Sequence, residues 1–558
     1  MNKAFTFCFL IIAFTFHSAF GQETNFVPGN LIVMTGSDAQ AEQLSKELAT
    51  INGASTRLKV ERTLARHMHI YLMSFDASAV SNELMLQAVR NNRHVKIAQY
   101  NHTFESRVMP DDAQFSAMWD MHNTGAGGGV ADADIDAPEA WDITTGGLTA
   151  DGDTIVVAVV DGGYDLAHED LHFWKNYGEI PNNSIDDDGN GYVDDRDGWN
   201  GATGTDNFSV ASHGTHVAGT VGAKGNNSIG VTGVNWNVQV MAISYGSGGS
   251  FEANVVASYA FAMDQRRLYN QTNGAKGAFV VATNSSFGVD LAFPSSYPLW
   301  CAMYDSLGSV GILSAGATAN AHYNIDVQGD IPTACPSDWL IAVTNTTRTD
   351  AKNSSCGYGA TMIDLGSPGT SITSTYPSNT YNSISGTSMA TPHVAGTVAL
   401  MCSVNCPGFI SAYKADPAGM ALVIKDSLLG AVDIIPSMSG GITLTGGRLN
   451  LYKSVKAVQN YCLDTDIAGS DLDNTFEIRN VYPNPANDQL NVVYYSYDNA
   501  EIILSNVLGQ KIMQVKGDTS TKGIQHGRID VSKLTKGMYF VSVISADKTS
   551  NVVKVIIQ

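Results

Sequence analysis

The chain predicts an α/β fold: a doubly wound parallel sheet, with a small α+β module before it and a compact β-sandwich after it. Three observations carry this expectation. Thr154-Ile155-Val156-Val157-Ala158-Val159-Val160 is an unbroken apolar run that ends in Asp161-Gly162-Gly163, and such a run suits a parallel strand buried on both faces. Further strand-like runs at 238–243, 279–283, 310–314 and 340–344 alternate with helical stretches such as 254–269, which is the rhythm of βαβ units. From about residue 480 short strand-like segments (489–495, 501–504, 527–531, 538–544, 551–557) follow one another between Gly, Asn, Asp and Lys turns, the pattern of a β-sandwich.

The start of the chain gives the compartment. Lys3 is the sole charge before the apolar run 5–16, and Ala19-Phe20-Gly21 offers a small-x-small cleavage site. Residues 1–21 therefore read as a secretory signal peptide. Residues 22–109 form the α+β module. A strand at 31–34 is followed by a helix with Ala41, Leu44, Leu48 and Ile51 on one face, a strand at 69–75, a helix at 84–89 and a closing strand at 95–100. The main domain is expected over 110–462, a polar acidic linker over 463–479, and the C-terminal module over 480–558.

Composition excludes some classes. A net charge of −21 with no basic stripe argues against nucleic acid, whose phosphates need cationic partners. No stretch after the signal reaches the ~18 uninterrupted apolar residues that a membrane span needs. A soluble, secreted monomer is expected. Of seven cysteines, Cys8 leaves with the signal. Cys301, Cys335, Cys356, Cys402, Cys406 and Cys462 remain, an even number in an oxidising compartment. Three disulfides are expected, with the pairing left open.

Chemistry concentrates in Gly386-Thr387-Ser388-Met389-Ala390-Thr391-Pro392-His393. This reads as a turn opening into a helix with small residues on its packing faces. A serine there is either an ordinary N-cap or a nucleophile at a helix end that favours developing negative charge. Two further stretches bear on the choice: Val160-Asp161-Gly162-Gly163 and Ser212-His213-Gly214-Thr215-His216. In this order the three motifs resemble the subtilisin-like serine peptidases, the subtilases. The likeness covers about 140–460 and includes Ala137-Pro138-Glu139-Ala140-Trp141 and Asp364-Leu365-Gly366-Ser367-Pro368-Gly369.

The resemblance implies a subtilisin-like catalytic domain in which Ser388 is the nucleophile, His213 the base and Asp161 the residue that orients it. His216 and His393 are expected to be structural. It implies polypeptide substrates, held along Ser286, Phe287 and Gly288 on one side and Ser314, Ala315 and Gly316 on the other, with a second pairing edge near 246–249. The module before the domain is implied to be an inhibitory propeptide, cut near 105–112.

One departure stands out. The family has Asn directly after this Ala-Gly pair as an oxyanion donor, and this chain has Gly316-Ala317. Either Asn320 reaches into the hole, or the Ser388 backbone N–H and the helix end suffice. The departure also leaves open a non-catalytic or weakly active surface protein that uses the fold for binding. An esterase or lipase is disfavoured, because Ser388 lacks the Gly-x-Ser-x-Gly elbow.

A second site is expected in Asp186-Asp187-Asp188-Gly189-Asn190-Gly191-Tyr192-Val193-Asp194-Asp195-Arg196-Asp197. Its spacing resembles an EF-hand loop, which makes Asp186, Asp188, Asn190, Tyr192, Asp194 and Asp197 candidate ligands of a structural calcium ion. A solvated acidic turn is the alternative. Finally, Tyr482-Pro483-Asn484-Pro485-Ala486, Leu504-Ser505-Asn506-Val507-Leu508-Gly509 and Leu534-Thr535-Lys536-Gly537-Met538-Tyr539 resemble the C-terminal sorting domain of the type IX secretion system. That likeness implies outer-membrane secretion machinery as a partner.

Overall fold

The computed structural model describes residues 26–102, 108–247, 251–466, 478–482, 486, 489–496, 500–506, 509–516, 523–545, 548–550 and 552–557. The expected signal peptide, residues 248–249 of the expected second pairing edge, most of the linker and the Pro483-Asn484-Pro485 turn lie outside them. So do 105–107 of the expected cleavage region.

The chain divides into two compact units, Met1–Ser106 and Arg107–Gln558. The first carries an antiparallel four-stranded sheet in the order Lys59–Ala65, Ile70–Ser74, Phe26–Thr35, Val95–His102. Helices Asp38–Glu47 and Asn82–Arg90 supply Leu44, Met85 and Val89 to a core shared with Leu31, Val33 and Met73. Ser81 caps the second helix by accepting the Leu84 N–H at 3.3 Å, which satisfies one of its free donors. Two features depart from expectation. The first helix stops at Glu47, and Ile51 enters a two-stranded hairpin whose tip, Asn52-Gly53, has positive φ at both residues. Asn-Gly is the sequence most suited to that turn. The strand Lys59–Ala65 was not expected because its side chains are mostly polar and exposed, as befits a sheet edge.

The second unit is organised around a nine-stranded sheet in the order Asp433–Ile434, Gly447–Arg448, Leu365–Pro368, Leu340–Thr346, Leu313–Ala317, Phe279–Ser285, Ile155–Asp161, Gln239–Ser244, Trp199–Asn200. Its strands pair in parallel except for the antiparallel contact of Asp433–Ile434 with Gly447–Arg448. The expected all-parallel sheet is thus a mixed one. The departure lies at one edge, where a short return strand has no need of a crossover helix.

Ile155–Asp161 shows why its sequence is apolar throughout. Ile155, Val157 and Val159 face one core with Val217, Ala218 and Val221 of helix Ser212–Gly222 and Ala390, Val394 and Val398 of helix Thr387–Met401. Val156, Ala158 and Val160 face the other, with Val255 and Tyr259 of helix Glu252–Thr272 and Tyr304 of helix Pro298–Ser309. Alternate side chains enter opposite layers, so every position must be apolar. The strand lies between Phe279–Ser285 and Gln239–Ser244, where the strand order reverses. In such sheets the crevice beyond the carboxyl ends of the strands is where ligands bind.

Among the described residues there are two disulfides, Cys301–Cys335 and Cys406–Cys462, not three. Cys402 ends the Thr387–Met401 helix inside the core, and Cys356 lies in a separate loop; both are buried thiols. Burial pushes the Cys402 pKa up to about 12, so it stays an inert thiol.

The C-terminal β-rich region has a three-stranded sheet (Ile478–Tyr482, Gln489–Ser496, Gly523–Asp530) and a five-stranded one that includes Glu501–Asn506, Gly537–Ser545 and Val553–Ile557. Leu490, Ile529, Ile502, Val541 and Val555 share one apolar core. The strand Lys511–Lys516 is a further edge strand beyond those expected; it lays Met513 and Val515 against the core between exposed Lys511, Gln514 and Lys516.

Candidate active site

Asp161 is the last residue of the central strand, and its side chain is 3% exposed. One carboxylate oxygen accepts the Gly162 N–H at 2.7 Å, and the other lies 2.8 Å from His213 Nδ1. A carboxylate can only accept here, so Nδ1 carries the proton and Nε2 is left as the basic nitrogen. His213 stands in the first turn of Ser212–Gly222 with its side chain 42% exposed. The following Gly214 explains the close approach. A Cβ there would lie 2.3 Å from the Gly163 carbonyl oxygen and 3.0 Å from Asp161 Cβ. Burial of the ring opposes its charged form, but the hydrogen bond and charge of Asp161 outweigh it and raise the His213 pKa above the usual 6.5.

Ser388 stands in the first turn of Thr387–Met401. Its hydroxyl donates to the Ser286 carbonyl at 3.1 Å rather than to His213. The turn before it is anchored by Gly386 N–H donating to Gly369 O at 2.8 Å and by Thr387 Oγ1 donating to Thr318 O at 2.5 Å. Pro392 lies inside the helix. It has no N–H for the carbonyl four residues earlier, which is that of Ser388. The Ser286 hydroxyl donates to that carbonyl at 2.8 Å instead. The proline was a usable sequence signal that some side chain must fill this role.

Asn320 lies at the same helix start. Its Oδ1 accepts the Thr387 N–H at 2.9 Å. This backbone donor settles which end of the amide is oxygen. A Cβ placed on Gly386 would lie 3.3 Å from Asn320 Oδ1, 3.6 Å from its Nδ2 and 3.7 Å from Ser388 N. The Asn320 amide thus lies beside the first turn that carries the serine. The clamping role of Thr387 was not legible in the sequence.

The other histidines are locked. His216 Nε2 donates to the carbonyls of Ile372 and Asn382 at 3.0 and 3.2 Å, and burial lowers its pKa to about 4. His393 Nδ1 donates to Met389 O at 2.9 Å, and Nε2 meets Asp120 Oδ2 at 3.0 Å, with both side chains fully buried.

The candidate substrate residues divide. Ser286, Phe287 and Gly288 run out past the strand Phe279–Ser285, and Phe287 packs against Tyr245 with ring centroids 4.7 Å apart. Ser314, Ala315 and Gly316 lie within the sheet, paired on both sides, so they approach the crevice only at their carboxyl end.

In the acidic loop, Asp186 and Asp188 come together with Glu179, each offering an oxygen within 4.8 Å of the others. Asp194 accepts the N–H groups of Asn183 and Ser184 at 3.0 and 2.9 Å, Asp197 pairs with Lys175 Nζ at 2.6 Å, and Tyr192, expected to act through its main-chain carbonyl, donates its hydroxyl to Asp264. Asn190 Nδ2 donates to the buried Asp195, whose pKa is pushed up to about 7 by burial, with Asp188 and Glu179 adding to the rise. Glu179, outside the loop, is the member that spacing within the motif could not reveal. The cluster can hold a metal ion.

A strand-end aspartate bonded to a histidine, and a serine opening a buried helix at the same sheet edge, define a peptidase-type crevice on a doubly wound sheet. The subtilase family matches residues 152–425, and a secretion system C-terminal sorting domain matches 480–558. An extracellular protease of Xanthomonas campestris pv. campestris is 30% identical over 342 residues, covering 58% of this chain and 54% of that protein. Thermitase of Thermoactinomyces vulgaris is 30% identical over 328 residues, covering 58% of this chain and 94% of that protein. The chain thus spans about half the length of the first relative and nearly all of the second. A solved structure described as proteases from Pseudoalteromonas arctica PAMC 21717 aligns at 26% identity with a TM-score of 0.44, covering 63% of this chain and 100% of that one. The chain belongs to the subtilase family, a class of serine-type endopeptidases, and carries a type IX secretion system sorting domain.

Proposed function

We propose that the protein is a secreted serine endopeptidase made as a zymogen. Ser388 attacks the scissile carbonyl, His213 takes its proton and returns it to the leaving amine, and Asp161 orients and stabilises the imidazolium. The 2.8 Å contact between His213 and Asp161 carries this reading, because it leaves Nε2 as the basic nitrogen. Ser388 must turn its hydroxyl from the Ser286 carbonyl toward that nitrogen; such contacts often tighten only with substrate bound. Asn320 Nδ2 and the Ser388 N–H then receive the oxyanion. The fixed orientation of the Asn320 amide supports this and weighs against a binding-only role.

An extended polypeptide would lie along Ser286, Phe287 and Gly288, with the carboxyl end of the 314–316 strand closing the other side. The module 22–109, with its own core, would serve as the propeptide that fills the cleft until cut near 105–112. The 480–558 module would fold as a β-sandwich and be read by outer-membrane secretion machinery. Glu179, Asp186 and Asp188 would hold calcium, since three carboxylate oxygens suit a hard cation and repel one another without one. That ion would stiffen the loop and take no part in the chemistry. The high negative charge supports a monomer without nucleic-acid partners.

The test is a Ser388→Ala chain produced without other proteases. It should remain full length and resist a fluorophosphonate that labels the native mature protein at Ser388. Maturation of the variant, or a native mature protein that takes no label, would overturn the reading.

A further inference from the structure

The proposed oxyanion donor Asn320 does not stand directly on the strand end. It lies three positions past Ala317, on a turn, and it is exposed. The turn is held by its backbone. Thr318 N–H donates to Val343 O at 3.1 Å, and Gly357 N–H donates to Ala319 O at 2.9 Å. The Ala319 N–H, immediately before Asn320, donates to Asp330 Oδ2 at 3.1 Å. The same oxygen accepts the Thr333 hydroxyl at 2.5 Å.

Asp330 is 1% exposed and lies in the short strand Asp330–Ile331, opposite Asp290. Its burial pushes the pKa up to about 7, a desolvation cost offset by the bonds it accepts from Ala319 and Thr333. Val289–Asp290 pairs with this strand and follows directly on Gly288. One side chain therefore ties the Asn320 turn to the segment that carries the candidate substrate residues.

We infer that Asp330 is a positioning residue for the oxyanion donor: by accepting the Ala319 N–H, it fixes the turn that aims the Asn320 amide at the space beside Ser388. This rests on the reading of Asn320 given above. Because Ala319 and Thr333 both donate to one oxygen, an asparagine can keep both bonds, whereas alanine loses both.

The test compares processed enzyme of the full chain, normalised by fluorophosphonate titration of active sites, on a peptide amide substrate. Losing an oxyanion donor outright costs about 10²–10³ in turnover in subtilisin. Asp330→Ala should lower kcat by roughly 10- to 100-fold, less than that loss, with KM within about twofold. Asp330→Asn should restore kcat to within about threefold of the parent, since its oxygen can accept both donors. The double variant Asp330→Ala/Asn320→Ala should be no slower than Asn320→Ala, because the two act as one unit. If Asp330→Ala yields no folded protein, Asp330→Ser takes its place, its hydroxyl being too short to reach the Ala319 N–H. Unchanged kcat, a loss in KM alone, an Asp330→Asn as slow as the alanine variant, or losses that multiply in the double variant would each overturn the inference. An Asn320→Ala enzyme with undiminished kcat would remove the oxyanion assignment as well; a slow one with multiplying losses removes only the role of Asp330.

Discussion

Ser286 and Ser388 exchange hydrogen bonds at the mouth of the sheet. Ser286 Oγ donates to the Ser388 carbonyl at 2.8 Å, and Ser388 Oγ donates to the Ser286 carbonyl at 3.1 Å. Asn284 Nδ2 donates to Ser286 Oγ at 2.9 Å, so the Ser286 proton has one direction left, toward the carbonyl that Pro392 leaves without an N–H. The end of one strand thereby holds the first turn of the helix that carries the serine.

Ser286→Ala should therefore do two things. It leaves the Ser388 carbonyl without its donor, which costs about 1–3 kcal/mol when a buried acceptor goes unsatisfied. It also loosens the serine, so kcat should fall more than KM changes. Chemical denaturation in a Ser388→Ala background, beside steady-state kinetics in the active chain, measures both. Equal stability with equal kcat would show that the exchanged bonds carry no weight.

Asp161→Asn should lower kcat by about 10⁴, the size seen when a serine protease loses this carboxylate. The pH profile should move too. The base must be neutral, so kcat/KM rises with pH through the His213 pKa, which in the parent lies above 6.5. With the carboxylate gone, burial alone acts on the ring, and the acid limb should shift to lower pH. A limb that stays in place would mean that another group titrates there.

Stability should fall with rising pH through the buried carboxyls of Asp134, Asp195 and Asp330, of which Asp134 gives one direct test. Asp134 is pushed up to about 7 by burial, against an ordinary 3.8. The folded state then binds a proton that the unfolded state has released. Its contribution is complete below about pH 4 and is lost as pH rises to about 7, with a slope of up to ~1.4 kcal/mol per pH unit. Denaturation of Ser388→Ala with and without Asp134→Asn, at several pH values in that window, should show the slope reduced in the double variant.

Calcium should raise the melting temperature of the Ser388→Ala chain, and a chelator should lower it again. Saturation at 100 times Kd is worth about 2.7 kcal/mol. Glu179→Gln with Asp188→Asn should abolish the response to calcium, since it removes two of the three carboxylates of the cluster. A response that survives this pair would place the ion elsewhere.

Much of the molecule was legible from local signals. Ile155–Asp161 announces itself because both its faces are buried and every residue before Asp161 is apolar. Asp161, His213 and Ser388 each lie in a motif whose small neighbours reveal close packing, as Gly214 does. The strand at Lys59–Ala65 is not legible, because an edge strand with exposed polar side chains has no periodic apolar signature; Lys511–Lys516 offers only the short alternation of Met513 and Val515.

The fold class, the order of the three motifs and the acidic loop are written in short stretches of chain. Which distant groups meet follows only from folding. It joined Glu179 to Asp186 and Asp188, left Cys356 and Cys402 unpaired, set Asn320 against Thr387, and tied Asp330 to Ala319. The reason is physical: apolar periodicity is written along the chain, whereas a hydrogen bond or a ligand set depends on distances and directions that exist only once the strands are in register.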